Sequence, residues 1–254
     1  MQVKLIDNMG SDLTVVNAAR VSFNKESEWE SITPAGPVEN LLTEKDEKLI
    51  NYLARHNHWT PFGHCFLQFR IKAPIFVARQ LVKHQVGLVW NEVSRRYIDD
   101  DPEFFIPIKW RGKAKDKKQG SVEDRNINYN TAPLMTYVSQ CYKNMLNAGI
   151  APEMARMFLP QNMYTEWDWS GSLAAFARVC SLRIKDDVQQ ETRFIANCIN
   201  LECKDIYPVS WKALEKNDFD TWKKCNKPEW FEIDDLNDNK SFWHGLGLPD
   251  ETRN

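Results

Sequence analysis

The stretch TPFGHCFLQFRIKAPIFVARQ changes its apolar periodicity in the middle and constrains the fold more than any other segment. Cys65, Leu67 and Phe69 alternate with the residues between them, which is the period-two pattern of a strand. Pro74 then suits the first turn of a helix, because its missing N–H has no helical partner there. We predict a strand that leads directly into a helix running to about Gln85, and hence a mixed α/β fold.

The composition favours one ordinary folded domain. The chain has 254 residues, of which 43% are hydrophobic, enough for one substantial core. Its 33 basic residues are balanced by 35 acidic ones, which argues against a protein that coats nucleic acid. No apolar run approaches the roughly 20 residues that span a bilayer, and the N-terminal residues do not form a secretory signal. We expect a cytoplasmic protein without membrane association.

Further elements follow from local patterns. VKLIDN alternates like a short strand, and LTVVNAARVSF indicates a short helix followed by an extended piece. Thr43, with Asp46 three residues later, predicts a helix start before the periodic KLINYLARH. We predict loops at Glu26–Leu42 and Lys109–Arg125, and helices at Ile127–Ala148, APEMARMFLP, Leu173–Leu182 and Asp186–Asp205.

Neither the cysteines nor the histidines form a recognisable metal motif. The six cysteines include no C-x-x-C pair and have no His at zinc-site spacing, so we expect buried thiols. Cys198 is a candidate nucleophile that nothing local supports. His56 and His58 are candidate metal ligands, but a helix cap or a stacking role is the better interpretation, and we expect no metal.

The segment ARQLVKHQVGLVWNEVSRRY turns abruptly from core-like residues to cations, amides and one carboxylate. A helix would place Arg79, Gln80, Lys83 and His84 on one side. The chain has no glycine-rich phosphate motif, so a phosphorylated ligand would be held by side-chain cations. Solvated surface cations are the alternative. The amides and Glu92 among them favour a ligand site.

Two further arginines raise the same question. Arg156 lies among Met and Leu residues, where an isolated buried charge is costly, so it needs an anionic partner. Arg183 has Asp186 and Asp187 nearby in sequence. A structural ion pair and an anionic ligand are open alternatives for both arginines.

Several blocks in order resemble the flavin-dependent thymidylate synthases, from the N-terminus to about Trp211. They are NAARVSF, HNHWTPFGH, APIFVARQ, NEVSRRY, ARMFLPQNMYT and SLRIKDDVQQE. The resemblance implies an α+β domain with a mainly antiparallel sheet flanked by long helices, assembled as a homotetramer with sites shared between subunits. It implies reductive methylation of dUMP to dTMP, with methylenetetrahydrofolate as carbon donor, FAD as hydride carrier and NADPH as reductant.

The chain departs from the family signature, which is Arg-His-Arg, seven residues, then Ser. Here the triplet is Lys83-His84-Gln85, and eight residues separate it from Ser94. Lys keeps the charge but loses the guanidinium fork, and Gln loses the charge. Since these positions help to hold FAD in the family, we expect a neighbouring cation such as Arg95 to compensate.

The resemblance also implies roles for individual residues. Arg183 is the expected catalytic residue, which stabilises negative charge on the uracil ring. His58 is expected near the flavin and folate. The expected dUMP contacts are Gln80, Lys83, Glu92, Ser94, Arg95, Arg96, Arg156 and Arg183. The expected FAD contacts are Ser22, Thr60, Lys83, His84, Gln85, Glu92, Ser172 and Arg178.

Two regions stand apart from the resemblance. We expect a synthase-like domain over residues 1–213 with an inserted loop at 26–42, and an extension of unknown role over residues 214–254. The alternative function is a nucleotide- or nucleic-acid-binding protein that has lost flavin chemistry. The neutral Gln85 and the basic loop with Lys113, Lys115, Lys117 and Lys118 motivate it.

Overall fold

An antiparallel sheet with helices packed on it forms the framework of the computed structural model. The structure describes residues 1–32, 39–115, 120–123 and 127–218. The strands are β1 (Gln2–Met9), β2 (Glu30–Ile32), β3 (Glu39–Leu41), β4 (Phe66–Pro74), β5 (Leu88–Glu92), β6 (Arg111–Lys113), β7 (Ser121–Glu123) and β8 (Tyr164–Ser172). The helices are α1 (Asp12–Arg20), α2 (Glu44–Arg55), α3 (Ile75–Leu81), α4 (Ala132–Asn147), α5 (Pro152–Ala155), α6 (Leu173–Arg183), α7 (Gln190–Ile206) and α8 (Pro208–Asp218).

The main sheet has the order β1-β4-β8-β5, and every neighbouring pair is antiparallel. β4 and β8 pair over nine residues, from Phe66 opposite Ser172 to Pro74 opposite Tyr164. Their side chains alternate between a buried face and a charged face. On the charged face, Arg70 donates to Asp168 at 2.6 Å across the strand pair.

The buried face carries an aromatic core. Phe176 of α6 makes edge contacts with Phe69 of β4 and Trp169 of β8, at centroid distances of 5.1 and 5.4 Å. Trp90 of β5 stacks on Trp167 of β8 at 4.4 Å. α6 is buried around most of its circumference and packs on the sheet through Phe176, and its last residue is Arg183.

Glycines allow β5 to approach β8 closely. A Cβ at Gly171 would lie 2.5 Å from the carbonyl oxygen of Gly87. Gly87 itself has φ +75°, in the left-handed region that favours glycine. The chain therefore turns sharply at Gly87, which lies beside the first turn of α6, before it enters β5.

Several sequence predictions are confirmed. The strand VKLIDN is part of β1, and the alternating stretch after Pro61 forms β4. Thr43 caps α2, since its side chain accepts from the backbone N–H of Asp46 at 3.1 Å. The shorter helix at APEMARMFLP is present as α5 and a following 3-10 turn.

Other predictions are wrong in type or bounds. The helix predicted to reach Gln85 ends at Leu81, and Val21–Phe23 is a 3-10 turn instead of an extended piece. The loops predicted at 26–42 and 109–125 contain the paired strands β2–β3 and β6–β7. Residues 33–38, 116–119 and 124–126 of these segments lie outside the described residues. α4 and α7 begin later than predicted, and β5, β8 and α8 had no sequence prediction.

The C-terminal boundary remains a prediction. α8 continues to Asp218, across the boundary expected at residue 213, and its Trp211 is buried and donates to Asn200 at 2.7 Å. Residues 219–254 lie outside the described residues.

In the described part of the chain, no helix combines the length and the apolar character needed to cross a membrane.

A buried carboxylate ties α1, α2 and the segment between them together. Asp46 is 1% exposed, forms an ion pair with Arg20, and accepts hydrogen bonds from Thr43 Oγ1 at 2.9 Å and Ser27 Oγ at 3.1 Å. Burial alone would raise the pKa of Asp46, but the hydrogen bonds from Arg20, Thr43 and Ser27 outweigh it and lower the pKa.

We predict that Asp46→Ala lowers the free energy of unfolding by about 3 kcal/mol, because it leaves Arg20, which is only 15% exposed, without its counter-charge. Since the pKa of Asp46 is lowered in the folded state, this contribution is present above about pH 4 and is lost as the pH falls below it. Urea unfolding at matched protein concentration measures both effects.

Glu44→Ala in the same helix is the matched control. Its ion pair with Lys48 is exposed at both ends, so it should cost less than about 1 kcal/mol. Equal losses for Asp46→Ala and Glu44→Ala would contradict the role given to Asp46.

Candidate active site

Residues 82–87, which we call the triplet loop, connect α3 to β5 and run along α6 in the opposite direction. Gly87 lies against the first turn of α6, where its hypothetical Cβ would meet Ala175 at 3.3 Å. The Val86 carbonyl accepts from Arg178 at 3.5 Å, and His84 meets Arg183 at the last residue of α6. The loop therefore places the Lys83-His84-Gln85 triplet against α6.

At the C-terminal end of α6, Arg183 Nε donates a hydrogen bond to His84 Nε2 at 2.8 Å. Because Nε2 accepts, the imidazole is neutral and carries its proton on Nδ1. Burial, and then the positive charges of Arg183 and Arg178, lower the pKa of His84 to about 4. His84 is therefore a neutral acceptor for Arg183 at physiological pH.

Arg183 is held by neutral groups. Its second contact runs from Nη2 to the carbonyl oxygen of Gln80, at 3.2 Å, and burial lowers its pKa. Asp186, one of the two carboxylates suggested by the sequence as partners, accepts from Arg193 at 3.1 Å. Within the described residues no carboxylate forms an ion pair with Arg183, so its positive charge stays available to an anionic ligand.

Gln80 is positioned by a residue that the sequence did not single out. Its amide nitrogen donates to Gln189 Oε1 at 2.8 Å. Gln189 precedes the first residue of α7 and is distant in sequence from the triplet. This hydrogen bond fixes the orientation of the Gln80 amide and leaves its oxygen as an acceptor.

Glu92 at the end of β5 is fixed in a similar way. Its Oε1 accepts from Thr165 Oγ1 at 2.7 Å, and its Oε2 accepts from Trp90 Nε1 at 3.1 Å. Thr165 and Trp90 were not among the predicted site residues; Trp90 lies two residues before Glu92 in β5, whereas Thr165 reaches Glu92 from β8, the neighbouring strand. The exposed carboxylate is thus preorganised.

The residues after β5 form local contacts. Ser94 Oγ accepts from the backbone N–H of Arg96 at 3.3 Å, and Arg96 lies 3.5 Å from Glu153. Arg95 donates to the carbonyl oxygen of Asp100 at 2.6 Å and pairs with its carboxylate at 3.0 Å. Arg95 is therefore committed to Asp100, and the expected replacement for the missing triplet charge must be sought elsewhere.

The expected burial of Arg156 is wrong. Arg156 lies on an exposed 3-10 turn next to Met157 and Phe158, which are 63% and 65% exposed. Its neighbours in sequence are apolar, but they do not enclose it in the single chain. An apolar stretch in the sequence does not distinguish a core from an exposed apolar surface.

The remaining predicted residues fall into two groups. Ser172 is buried and caps α6, because its Oγ accepts from the backbone N–H of Ala175 at 3.3 Å. His56, whose ring lies 4.3 Å from Tyr52, ends α2, as its predicted capping and stacking role implies. The exposed predicted residues are Ser22, His58, Thr60, Lys83, Gln85 and Arg178.

The structure brings Gln80, His84, Arg178 and Arg183 together and places Glu92 at the end of β5, the strand that follows the triplet loop. A search of the described residues finds no group of His, Cys, Asp and Glu side chains that suits a metal ion. An arginine held by neutral groups, together with a second exposed arginine and an oriented amide, suits an anionic ligand such as a nucleotide. The fold and this site therefore define an α+β protein with a candidate site for an anionic ligand.

Comparison with known proteins gives the family. The model of the family described as "Thymidylate synthase complementing protein" matches residues 4–209. The flavin-dependent thymidylate synthase of Thermus thermophilus is 37% identical over 219 residues, covering 85% of this chain and 76% of that protein. That of Kosmotoga olearia is 37% identical over 221 residues, covering 84% and 89%. The chain belongs to this family, the flavin-dependent thymidylate synthases.

A solved structure agrees in fold. The UMP/dUMP methylase PolB from Streptomyces cacaoi, bound with 5-Br UMP, superposes with a TM-score of 0.71 at 27% identity. The match covers 85% of this chain and 94% of that chain. The α+β architecture inferred from the resemblance is therefore confirmed.

We predict that His84 titrates at about pH 4 in the folded protein and that Arg183→Ala raises this value, because it removes a neighbouring positive charge. An unfolded histidine titrates near pH 6.5. Folding stability therefore falls as the pH drops from about 6.5 to about 4. NMR of the imidazole Cε1–H groups, with the His84 signal assigned by its loss in His84→Gln, measures the pKa. A wild-type value near 6.5 would contradict the His84–Arg183 contact.

Proposed function

We propose that the protein is a flavin-dependent thymidylate synthase that converts dUMP to dTMP by reductive methylation. The observation that carries the proposal is the hydrogen bond between Arg183 of α6 and the neutral His84. His84 lies in the loop that resembles the family signature. We propose methylenetetrahydrofolate as the carbon donor and NADPH as the reductant. The product makes the protein an enzyme of dTMP biosynthesis, and we propose that it acts in the cytoplasm.

The residues of the triplet loop fit a flavin dinucleotide. FAD carries a diphosphate, and the exposed Lys83 and Arg178 offer cations that no carboxylate pairs with in the described residues. His84, Gln85, Ser22 and Thr60 are the further contacts implied by the family. When bound, FAD supplies the hydride that completes the methyl group.

Arg183 is the proposed catalytic residue. A guanidinium held by an imidazole nitrogen and a backbone carbonyl keeps its full positive charge and a fixed direction. Such a preorganised cation stabilises negative charge that develops on the uracil ring in the transition state. The two anchoring groups are neutral, so they do not cancel this effect.

The other proposed dUMP contacts are positioned by their own neighbours. Gln189 orients the amide of Gln80, and Thr165 with Trp90 orients the carboxylate of Glu92. Fixed donors and acceptors of this kind suit recognition of a base edge. The remaining proposed contacts to the substrate are Lys83, Ser94, Arg96 and Arg156, whereas Arg95, expected as a contact from the resemblance, is held by Asp100.

The reaction proposed here needs no cysteine nucleophile. Cys198 was the sequence candidate for that role, and burial raises its pKa to about 12. Burial also raises the pKa of Cys65 to about 12. Both thiols stay protonated at neutral pH and are poor nucleophiles.

We also propose that the enzyme is a homotetramer with sites completed by neighbouring subunits. Met154, Met157 and Phe158 are each at least half exposed beside Arg156 in the single chain. Apolar groups exposed together favour contact with another protein surface. Burial of this surface would bring Arg156 from one subunit to the site of another.

Tritium release from C5-labelled dUMP tests the proposed function, because the methyl group replaces the C5 hydrogen. We predict release that depends on methylenetetrahydrofolate, NADPH and FAD. Arg183→Ala should lower the rate about 10²–10³-fold while keeping the fold and the bound flavin. Lys212→Ala on the exposed side of α8 is the control and should release tritium at the wild-type rate.

Two outcomes would contradict the proposal. Normal turnover by Arg183→Ala would remove the role given to Arg183. No tritium release under any flavin supply, from folded protein that still binds dUMP, would favour the nucleotide-binding alternative.

A further inference from the structure

The triplet loop has one cation fewer than the family signature. Gln85 is exposed and neutral where the signature has an arginine. Arg95, the replacement expected from sequence, is held by Asp100 and is 13% exposed. If the loop holds the diphosphate of FAD, as the proposed function requires, a second positive charge has to come from another element.

Arg178 lies at the right place on α6. Its Nη2 donates to the carbonyl oxygen of Val86 at 3.5 Å, and five residues further along α6 Arg183 donates to His84. Gln85 is the residue between these two contacts in the chain. The guanidinium of Arg178 therefore lies next to the backbone of Val86, the residue that follows Gln85.

The guanidinium of Arg178 is exposed, and its positive charge acts on the triplet loop. Its contact with Val86 is long and leaves its other N–H groups free for a ligand, and within the described residues no carboxylate pairs with it. Arg178 also contributes to the lowered pKa of His84, after burial and Arg183. Its positive field therefore reaches the middle of the triplet.

We infer that Arg178 supplies the cation that Gln85 lacks, and that this chain has moved one flavin-phosphate contact from the triplet loop to α6. The guanidinium fork that the Lys83–Gln85 triplet has lost is present on Arg178, and a fork of this kind bonds two phosphate oxygens. The inference rests on the proposed function, since it assigns a residue to the proposed flavin site.

The inference predicts a specific pattern of FAD affinity. Loss of a charge-assisted contact weakens binding about 10- to 100-fold. Arg178→Ala should therefore bind FAD about 10- to 100-fold more weakly than the wild type. Riboflavin, which has no phosphate, should bind both proteins with the same affinity within about threefold.

The matched test places the lost charge back on the loop. In the Arg178→Ala background, Gln85→Arg should recover most of the lost FAD affinity. In the wild-type background, where Arg178 already fills this role, Gln85→Arg should improve affinity by less. Quenching of flavin fluorescence measures the four proteins, circular dichroism checks their fold, and Lys212→Ala controls for loss of an exposed cation elsewhere.

The outcomes separate this inference from the proposed function. If Arg178→Ala binds FAD as the wild type does, or loses FAD and riboflavin equally, the inference is overturned and the proposed function stands. Additive effects of Gln85→Arg and Arg178→Ala also overturn it, because two independent contacts do not replace each other. If the wild-type chain binds no FAD, the proposed function fails and the inference fails with it.

Discussion

The nine-residue pairing of β4 with β8 is the constraint on which the site depends. α3 leaves the sheet after Pro74, opposite Tyr164, whereas β5 returns with Leu88 opposite Gly171. Seven residues of β8 separate these two points, which is about 24 Å at the rise of an antiparallel strand. α3 and the triplet loop together cover this distance, and the loop covers the last part of it along α6. The sheet register therefore sets the two ends of the segment that carries the loop.

The segment that covers this distance, residues 75–87, is helical only over its first part, since α3 ends at Leu81. Gly87 is in the left-handed region, where the chain turns into β5. Lys83 and His84, which helical spacing would have placed on one face with Gln80, therefore come to the site from a loop. His84 consequently reaches Arg183 from the loop.

The sequence predicted the parts of the site whose signals are local. The alternation around Leu67 and Phe69, the cap at Thr43 and the triplet itself are visible in single segments. Trp167 and Trp169 form the buried face of β8, and the strand was missed although they alternate with Glu166, Asp168 and Ser170 in the pattern of a half-buried strand. The contacts from Gln189 to Gln80, and from Thr165 to Glu92, join residues more than seventy positions apart. Only the register of the sheet and the packing of α6 and α7 bring these pairs together. For the same reason the sequence favoured Arg95, the nearer cation, as the replacement for the missing charge.

We propose that flavin and dUMP share the wall formed by the triplet loop and the end of α6. Titration of the FAD-loaded protein with dUMP, followed by the flavin absorption spectrum, tests this claim directly. The account predicts a spectral change that saturates at the same dUMP concentration as binding measured by equilibrium dialysis. We also expect Arg183→Ala to shift the spectral titration and the dialysis curve to higher dUMP concentrations by the same factor. Binding of dUMP by dialysis with no change in the flavin spectrum would place the two ligands apart and contradict the account.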